Sequence, residues 1–130
     1  MPSRIVCDKG HGGGLCHAAA ITLSEQGSLG LCPVLNCNAA VRYIVTQYYA
    51  NIDEEHEHEV VEVIRLRTGE DAEEEGYDPM IFLLRHREKG THSVWPFYWG
   101  RDRKGRWRVG QFPPILEVNE LKEALNKIQA

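Results

Sequence analysis

Cys7, Cys16, Cys32 and Cys37 are the only cysteines in the 130 residues, and they fall together in the N-terminal third with His11 and His17 among them. Thiolates and imidazoles are the ligands of a tetrahedral structural zinc site, which needs four of them converging at about 2.3 Å for sulfur and about 2.0 Å for nitrogen. Cys32 and Cys37 make one ligand pair at the loose end of the usual spacing, and the other pair must come from Cys7, His11, Cys16 and His17. The expectation is a structural zinc ion held by Cys7, Cys16, Cys32 and Cys37, with His11 or His17 able to stand in for a cysteine. The physical need is clear. Gly10, Gly12, Gly13 and Gly14 form a stretch too flexible for a helix or strand interior, so a local cross-link must tie it down. Disulfides, buried free thiols and a catalytic thiol are the competing uses.

The sharpest enzymatic alternative pairs Cys16 with His92. Gly14-Leu15-Cys16-His17-Ala18-Ala19-Ala20 could set Cys16 at a helix N-terminus, where the macrodipole favours a thiolate. Gly90-Thr91-His92-Ser93-Val94 could bring His92 in at the start of a strand. The order of cysteine then histidine resembles papain-like cysteine hydrolases, which would imply a Cys16 nucleophile and a His92 base. His56 and His58 share one face of an extended Glu55-His56-Glu57-His58-Glu59, a spacing able to take a divalent cation, but an acidic run of this kind reads first as solvated.

Charge is divided along the chain. Residues 51–78 carry a balance of minus ten and residues 80–112 one of plus six, within an overall formal charge of minus four. Arg101, Arg103, Lys104, Arg106 and Arg108 alternate with Trp95, Phe97, Tyr98, Trp99, Trp107 and Phe112, a mixture suited to single-stranded nucleic acid. Strand alternation points Trp107 away from Arg106 and Arg108, which favours rings in a core and a basic outer face open to nucleic acid or an acidic protein. Pairing of the acidic and basic stretches between subunits, giving a homodimer, is the third use.

The elements that position these residues are read from periodicity. Ala20–Ser24 and Ser28–Leu31 around Glu25-Gln26-Gly27 are expected to form a hairpin, with a helix from His17 ended by Gly27 as the rival. The sequence from Cys7 to Tyr49 resembles a zinc ribbon in outline: a ligand turn, a β-hairpin, a second ligand turn, then a strand. Val41–Tyr49 reads as a strand in preference to a helix capped by Asn38, followed by an acidic connection Asn51–Glu59 and a strand Val60–Leu66 with Val61, Val63 and Arg65 on one face. Thr68–Asp78 reads as a solvated loop. Met80–Arg85, Ser93–Trp99 and Arg106–Phe112 are further strands, the last two joined at Arg101–Gly105 and ended by Pro113-Pro114. Pro96 places its strand at an edge or bulge. A helix over Val118–Gln129, capped by Asn119, carries Leu121, Leu125 and Ile128 on an apolar stripe with Leu116 and Val118.

The chain is therefore expected to be one α+β domain over 1–130: a zinc-stapled hairpin region at 1–50, then a mainly antiparallel sheet and one C-terminal amphipathic helix at 51–130. The Met1–Cys7 start lacks the apolar core of a secretory signal, and no run reaches the roughly 18 apolar residues of a membrane span, so a soluble cytoplasmic protein is expected. Its expected role is that of a non-enzymatic binding module with structural zinc and an anion-contacting basic face.

Overall fold

The computed structural model describes residues 3–49, 54–110 and 118–128. Among these residues the chain is α+β, with a six-stranded antiparallel sheet in sequence order, curled into a half-barrel, and three helices. The strands are β1 (Ser3–Cys7), β2 (Val41–Tyr49), β3 (Glu54–Arg65), β4 (Tyr77–His86), β5 (His92–Arg101) and β6 (Trp107–Val109). Helix α1 (Cys16–Gln26) lies in the β1–β2 connection, α2 (Gly69–Glu75) in the β3–β4 connection, and α3 (Val118–Lys127) follows the sheet.

The expected N-terminal hairpin is corrected to a helix. Ala18-Ala19-Ala20 supply strong helix propensity, and His17, Ala20 and Leu23 recur every three residues as the buried face. Gly27, expected at a hairpin turn, is the left-handed residue past the helix end: its φ is 74° and its N–H donates to the Leu23 carbonyl. A glycine after a polar pair serves either role, and the apolar stripe against the sheet decides between them.

The expected solvated loop at Thr68–Asp78 is also corrected, because α2 occupies most of it. The Thr68 hydroxyl accepts from the Asp71 N–H, Glu70 and Asp71 sit in the first turn where the helix dipole favours anions, and Ala72 is fully buried. The acidic connection expected over residues 51–59 belongs to β3 from Glu54 onward.

β3 changes parity part-way. Its pairing with β4 shifts register between Val60 and Glu62, so Val61 is an extra residue. Val60 and Val63 consequently face the same core, whereas the sequence pattern placed them on opposite faces. That core lies on the concave side and unites Ala20 and Leu23 of α1 with Tyr43, Val45, Met80, Phe82, Leu84, Phe97 and Trp99. Phe97 and Trp99 of the basic segment are buried in this core, and Trp95 and Trp107 pack partly buried against it. Phe82 packs edge-on to Phe97 and Trp95 at centroid distances of 4.3 and 5.7 Å, and Phe97 meets Trp99 at 5.6 Å.

On the convex side Ala124 of α3 packs with Ile64 and Ile81, supported by Leu66 and Ile128. The buried seam of α3 is therefore carried by Ala124 and Ile128, and Leu121 and Leu125 are exposed at 39% and 51%. Pro96 fits its strand for the expected reason. β6 pairs only with Trp99–Arg101, leaving the far side of β5 at Pro96 without a strand partner among the described residues. Phe112, Pro113, Pro114, Leu116 and Gln129 lie outside the described residues. No helix in the described residues is long and apolar enough to cross a membrane.

Candidate metal centre

β1 and β2 are adjacent antiparallel strands, with Cys7 opposite Val41, so the chain leaving β1 and the chain entering β2 meet at one end of the sheet. At that end two tight turns face each other. In the first, the Cys7 N–H donates to the His11 carbonyl at 2.8 Å and the Gly10 N–H to the Cys7 carbonyl at 2.9 Å, with Gly10 at a φ of 94° that suits glycine. In the second, the Cys37 N–H donates to the Val34 carbonyl at 3.0 Å, and Asn36 and Asn38 take left-handed φ values of 62° and 51°. The Cys32 N–H bonds to Ala39 at 2.8 Å and the Lys9 ammonium to the Cys37 carbonyl at 3.0 Å, closing the turns on one another.

Four side chains converge there: Cys7, His11, Cys32 and Cys37, with one ligand atom from each lying within 4.8 Å of all the others. A tetrahedron built on the usual zinc bond lengths has sulfur–sulfur edges of about 3.8 Å and sulfur–nitrogen edges of about 3.5 Å. The Cys7 and Cys37 sulfurs are 3.7 Å apart. His11 Nδ1 lies 3.5 Å from Cys7 Sγ, 3.3 Å from Cys37 Sγ and 3.7 Å from Cys32 Sγ. These spacings fit the donor set to a zinc-sized ion. The sulfurs are much too far apart for a disulfide, whose bond is about 2.05 Å, and all four cysteines are free.

The electrostatics suit the same use. Burial raises the Cys7 thiol, but the backbone N–H groups of Lys9 and His11 and the neighbouring Cys37 and Cys32 outweigh it and bring the pKa down to about 6. The Val34 N–H works to lower the Cys32 thiol, yet burial and the adjoining Cys37 and Cys7 hold it above its ordinary value. The Cys7 thiolate is favoured outright, and the Cys32 thiol resists ionisation until a cation is present.

Cys16, expected as a ligand, stands elsewhere. It is the first residue of α1 and its sulfur accepts from Ser3 Oγ at 3.4 Å. His11 takes its place in the cluster. The signal for that exchange was the Cys7-Asp8-Lys9-Gly10-His11 spacing, which closes a turn within five residues, whereas Cys16 lies beyond three further glycines.

His17 belongs to another buried group. Its Nε2 donates to Asp78 Oδ2 at 2.8 Å, and Arg65 grips the same fully buried carboxylate through Nη2 at 2.8 Å and Nε at 3.0 Å. Burial acts to raise Asp78, but bonding to His17 and Arg65 prevails and keeps its carboxyl below the usual range. The spacing of these three residues in the chain gave no sign of the group.

His56 and His58, expected to be solvated, are buried because they face the concave side of β3, where His86 joins them across the sheet. The Glu88 and Lys89 N–H groups donate to His86 Nδ1 at 3.2 and 3.1 Å, so the proton of neutral His86 is on Nε2, which donates to His56 Nδ1 at 2.7 Å. That tautomer leaves neither nitrogen of His86 free to ligate a metal. Both ring nitrogens of His58 are buried without a hydrogen-bond partner among the described residues, and burial together with His86 and His56 lowers its pKa.

Cys16 and His92 are not brought together. Cys16 and Trp99 line the same cavity. His92 is exposed at the far end of β5, seven residues from Trp99 and hence roughly 23 Å along an extended strand.

The basic residues are mostly engaged within the chain. Glu57 bonds Arg4 at 2.9 Å and Arg87 at 3.2 Å, while Glu59 bonds Arg42 at 2.7 Å and also pairs with Arg85. Arg101 pairs with Glu73 at 2.9 Å, and Arg106 and Arg108 share Asp102 at 3.1 and 3.4 Å. Much of the charge asymmetry seen along the sequence is thus consumed between neighbouring elements of one chain. Arg103 and Lys104 project from the exposed β5–β6 turn. No family model matches the chain, and neither the curated proteins nor the solved structures yield a match.

Proposed function

We propose that this protein is a non-enzymatic binding module whose Cys7, His11, Cys32 and Cys37 hold one structural zinc ion. The observation that carries this reading is the agreement of the Cys3His spacings with the edges of a zinc-sized tetrahedron. Four protein ligands leave no open position for water or substrate, which distinguishes a structural ion from a catalytic one. The ion would join the two turns on either side of the β1–α1–β2 connection, supplying the anchor that the glycine-rich stretch lacks. Purified under reducing conditions, the chain is expected to contain one zinc per molecule by elemental analysis, and metal removal should release three additional thiols to titration. Cys37→Ser should lose the zinc, whereas Cys16→Ser should retain it. Full zinc content in Cys37→Ser would overturn the assignment.

The contacting face in this reading is the tip of the β5–β6 hairpin. Arg103 and Lys104 are exposed there, and among the described residues Arg106 and Arg108 share the Asp102 carboxylate. Base stacking is not part of the proposal, because Trp107 has His17 against its ring at 4.4 Å and the Arg101 guanidinium near it at 5.3 Å. Binding to a single-stranded thymidine oligonucleotide should fall steeply with rising salt and drop at least tenfold in Arg103→Glu/Lys104→Glu. A salt-independent affinity would remove the anionic-partner reading without touching the zinc centre.

A further inference from the structure

A cavity of about 570 Å³, of a size that suits a small organic ligand, opens between the start of α1 and the β5–β6 hairpin. Leu15, Ile21 and Trp107 give it apolar walls, and His17 stands among them. We propose that this cavity binds a small phenol, whose hydroxyl donates to His17 Nδ1 while its ring lies against Leu15, Ile21 and Trp107.

The polar anchor is an imidazole whose tautomer the fold fixes. His17 is 8% exposed, and its Nε2 lies 2.8 Å from Oδ2 of the fully buried Asp78. Arg65 holds the same carboxylate ionised through Nε and Nη2, so Asp78 accepts and neutral His17 has its proton on Nε2. That leaves Nδ1 as a lone-pair acceptor, and it makes no hydrogen bond among the described residues. The partnerless side-chain nitrogens sealed from solvent there are those of His58 and Trp99, so His17 Nδ1 retains accessible surface. Trp107 stacks on the imidazole at 4.4 Å, Trp99 tilts beside it at 5.2 Å, and Asp78 occupies the Nε2 edge. What the ring offers to the cavity it lines is the edge that carries Nδ1.

The lining selects the class of ligand. An acceptor on an otherwise apolar wall suits a molecule with one donor and a carbon body. The donor is uncharged: Glu73, the acidic residue of the lining, is already paired with Arg101 at 2.9 Å, and Arg106 and Arg108 at the lip repel an ammonium group. Among neutral donors a phenolic hydroxyl is favoured over an aliphatic one because it is more acidic. As its proton moves towards Nδ1 the imidazole gains positive charge, which the buried Asp78 carboxylate stabilises. The aromatic body then covers Leu15, which is 78% exposed at the mouth.

The proposal depends on neither the metal centre nor the anionic-partner reading. Isothermal titration of the full chain, purified under reducing conditions, with 2-naphthol and in parallel with 2-methoxynaphthalene tests it. One saturable site is expected for the naphthol, with the ether, which has no proton to donate, about tenfold weaker for the loss of one buried hydrogen bond. Two-dimensional 15N NMR should show His17 Nδ1 unprotonated in the free chain, and its resonance should move towards the protonated position at saturation. Ala18→Trp, at an exposed position of the lining, adds bulk to the cavity wall and should weaken naphthol about tenfold. Arg103→Glu/Lys104→Glu should change it less than threefold, and circular dichroism of both variants should match the parent. Absence of saturable binding, equal affinity for naphthol and ether, or an unmoved His17 Nδ1 resonance at saturation would overturn the proposal. Binding undiminished by Ala18→Trp would place the ligand elsewhere on the chain and overturn it equally.

Discussion

At the scale of single residues, the two buried polar groups of the concave face respond to acid in different pH windows. Asp78 is held below its ordinary pKa, so it contributes stability at pH above about 3.8, the unfolded value, and that contribution is lost as pH falls through the lower folded value. His58 is a base with a depressed folded pKa. Above about 6.5 it is neutral in both states, and below that the unfolded chain takes up a proton more readily, which lowers stability as pH falls towards the folded value. Urea unfolding measured from pH 7.5 to 3 should therefore show a decline beginning near pH 6.5 and a further loss below pH 4. His58→Leu should flatten the first decline and leave the second. Asp78→Asn should cost about 3–5 kcal/mol at pH 7, because it leaves Arg65 buried without its counter-charge. An unaltered first decline in His58→Leu would show that His58 is not its origin.

At the scale of elements, what the sequence made legible was whatever rested on local chemistry alone. The β-branched and aromatic run Val41–Tyr49 became β2, Val118–Lys127 became α3, and the polar glycine-containing stretch at 101–105 became the bend into β6. Three of the four cysteines expected as ligands come together in one cluster, because the turn chemistry around Cys7 and around Cys32–Cys37 is itself local. What was not legible depended on distant partners. Ala18–Ser24 can be written as strand or helix, and the choice fell to the helix because Ala20 and Leu23 reach a core whose other walls lie 20 to 80 residues away. His56 and His58 looked like members of a solvated acidic run, since the sheet that buries one face of that run and leaves Glu57 and Glu59 to the arginines outside is assembled from β2 and β4. The single extra residue at Val61 reversed the face of everything after it, a change that periodicity counted through the bulge cannot register.

At the scale of the whole molecule, the proposed metal centre would hold a different part of the chain from the concave core, and removal of the ion should separate them. The four proposed ligands stand at the end of β1 and just before β2, so a bound ion would close the connection that contains α1 into a loop. β1 is the first strand in the sheet order, paired with β2 and touched on its other side by a bridge from Gly12 to Val6, and its residues bury far less than those of β4. The large core of Phe82, Met80, Phe97 and Trp99 needs nothing from either ligand turn. α1 has its own attachments, through Ala20 and Leu23 in that core and through the His17–Asp78 bond. Chelation of the reduced chain should thus raise amide exchange tenfold or more in β1 and in residues 8–15 and 28–40, while α1 and β3 to β5 change little, as expected for a local opening below the free energy of global unfolding. Hydrogen-exchange mass spectrometry with and without a zinc chelator makes the comparison. Loss of protection throughout the sheet would show that the ion supports the entire fold, and unchanged exchange in both turns would show that the four side chains hold one another without it.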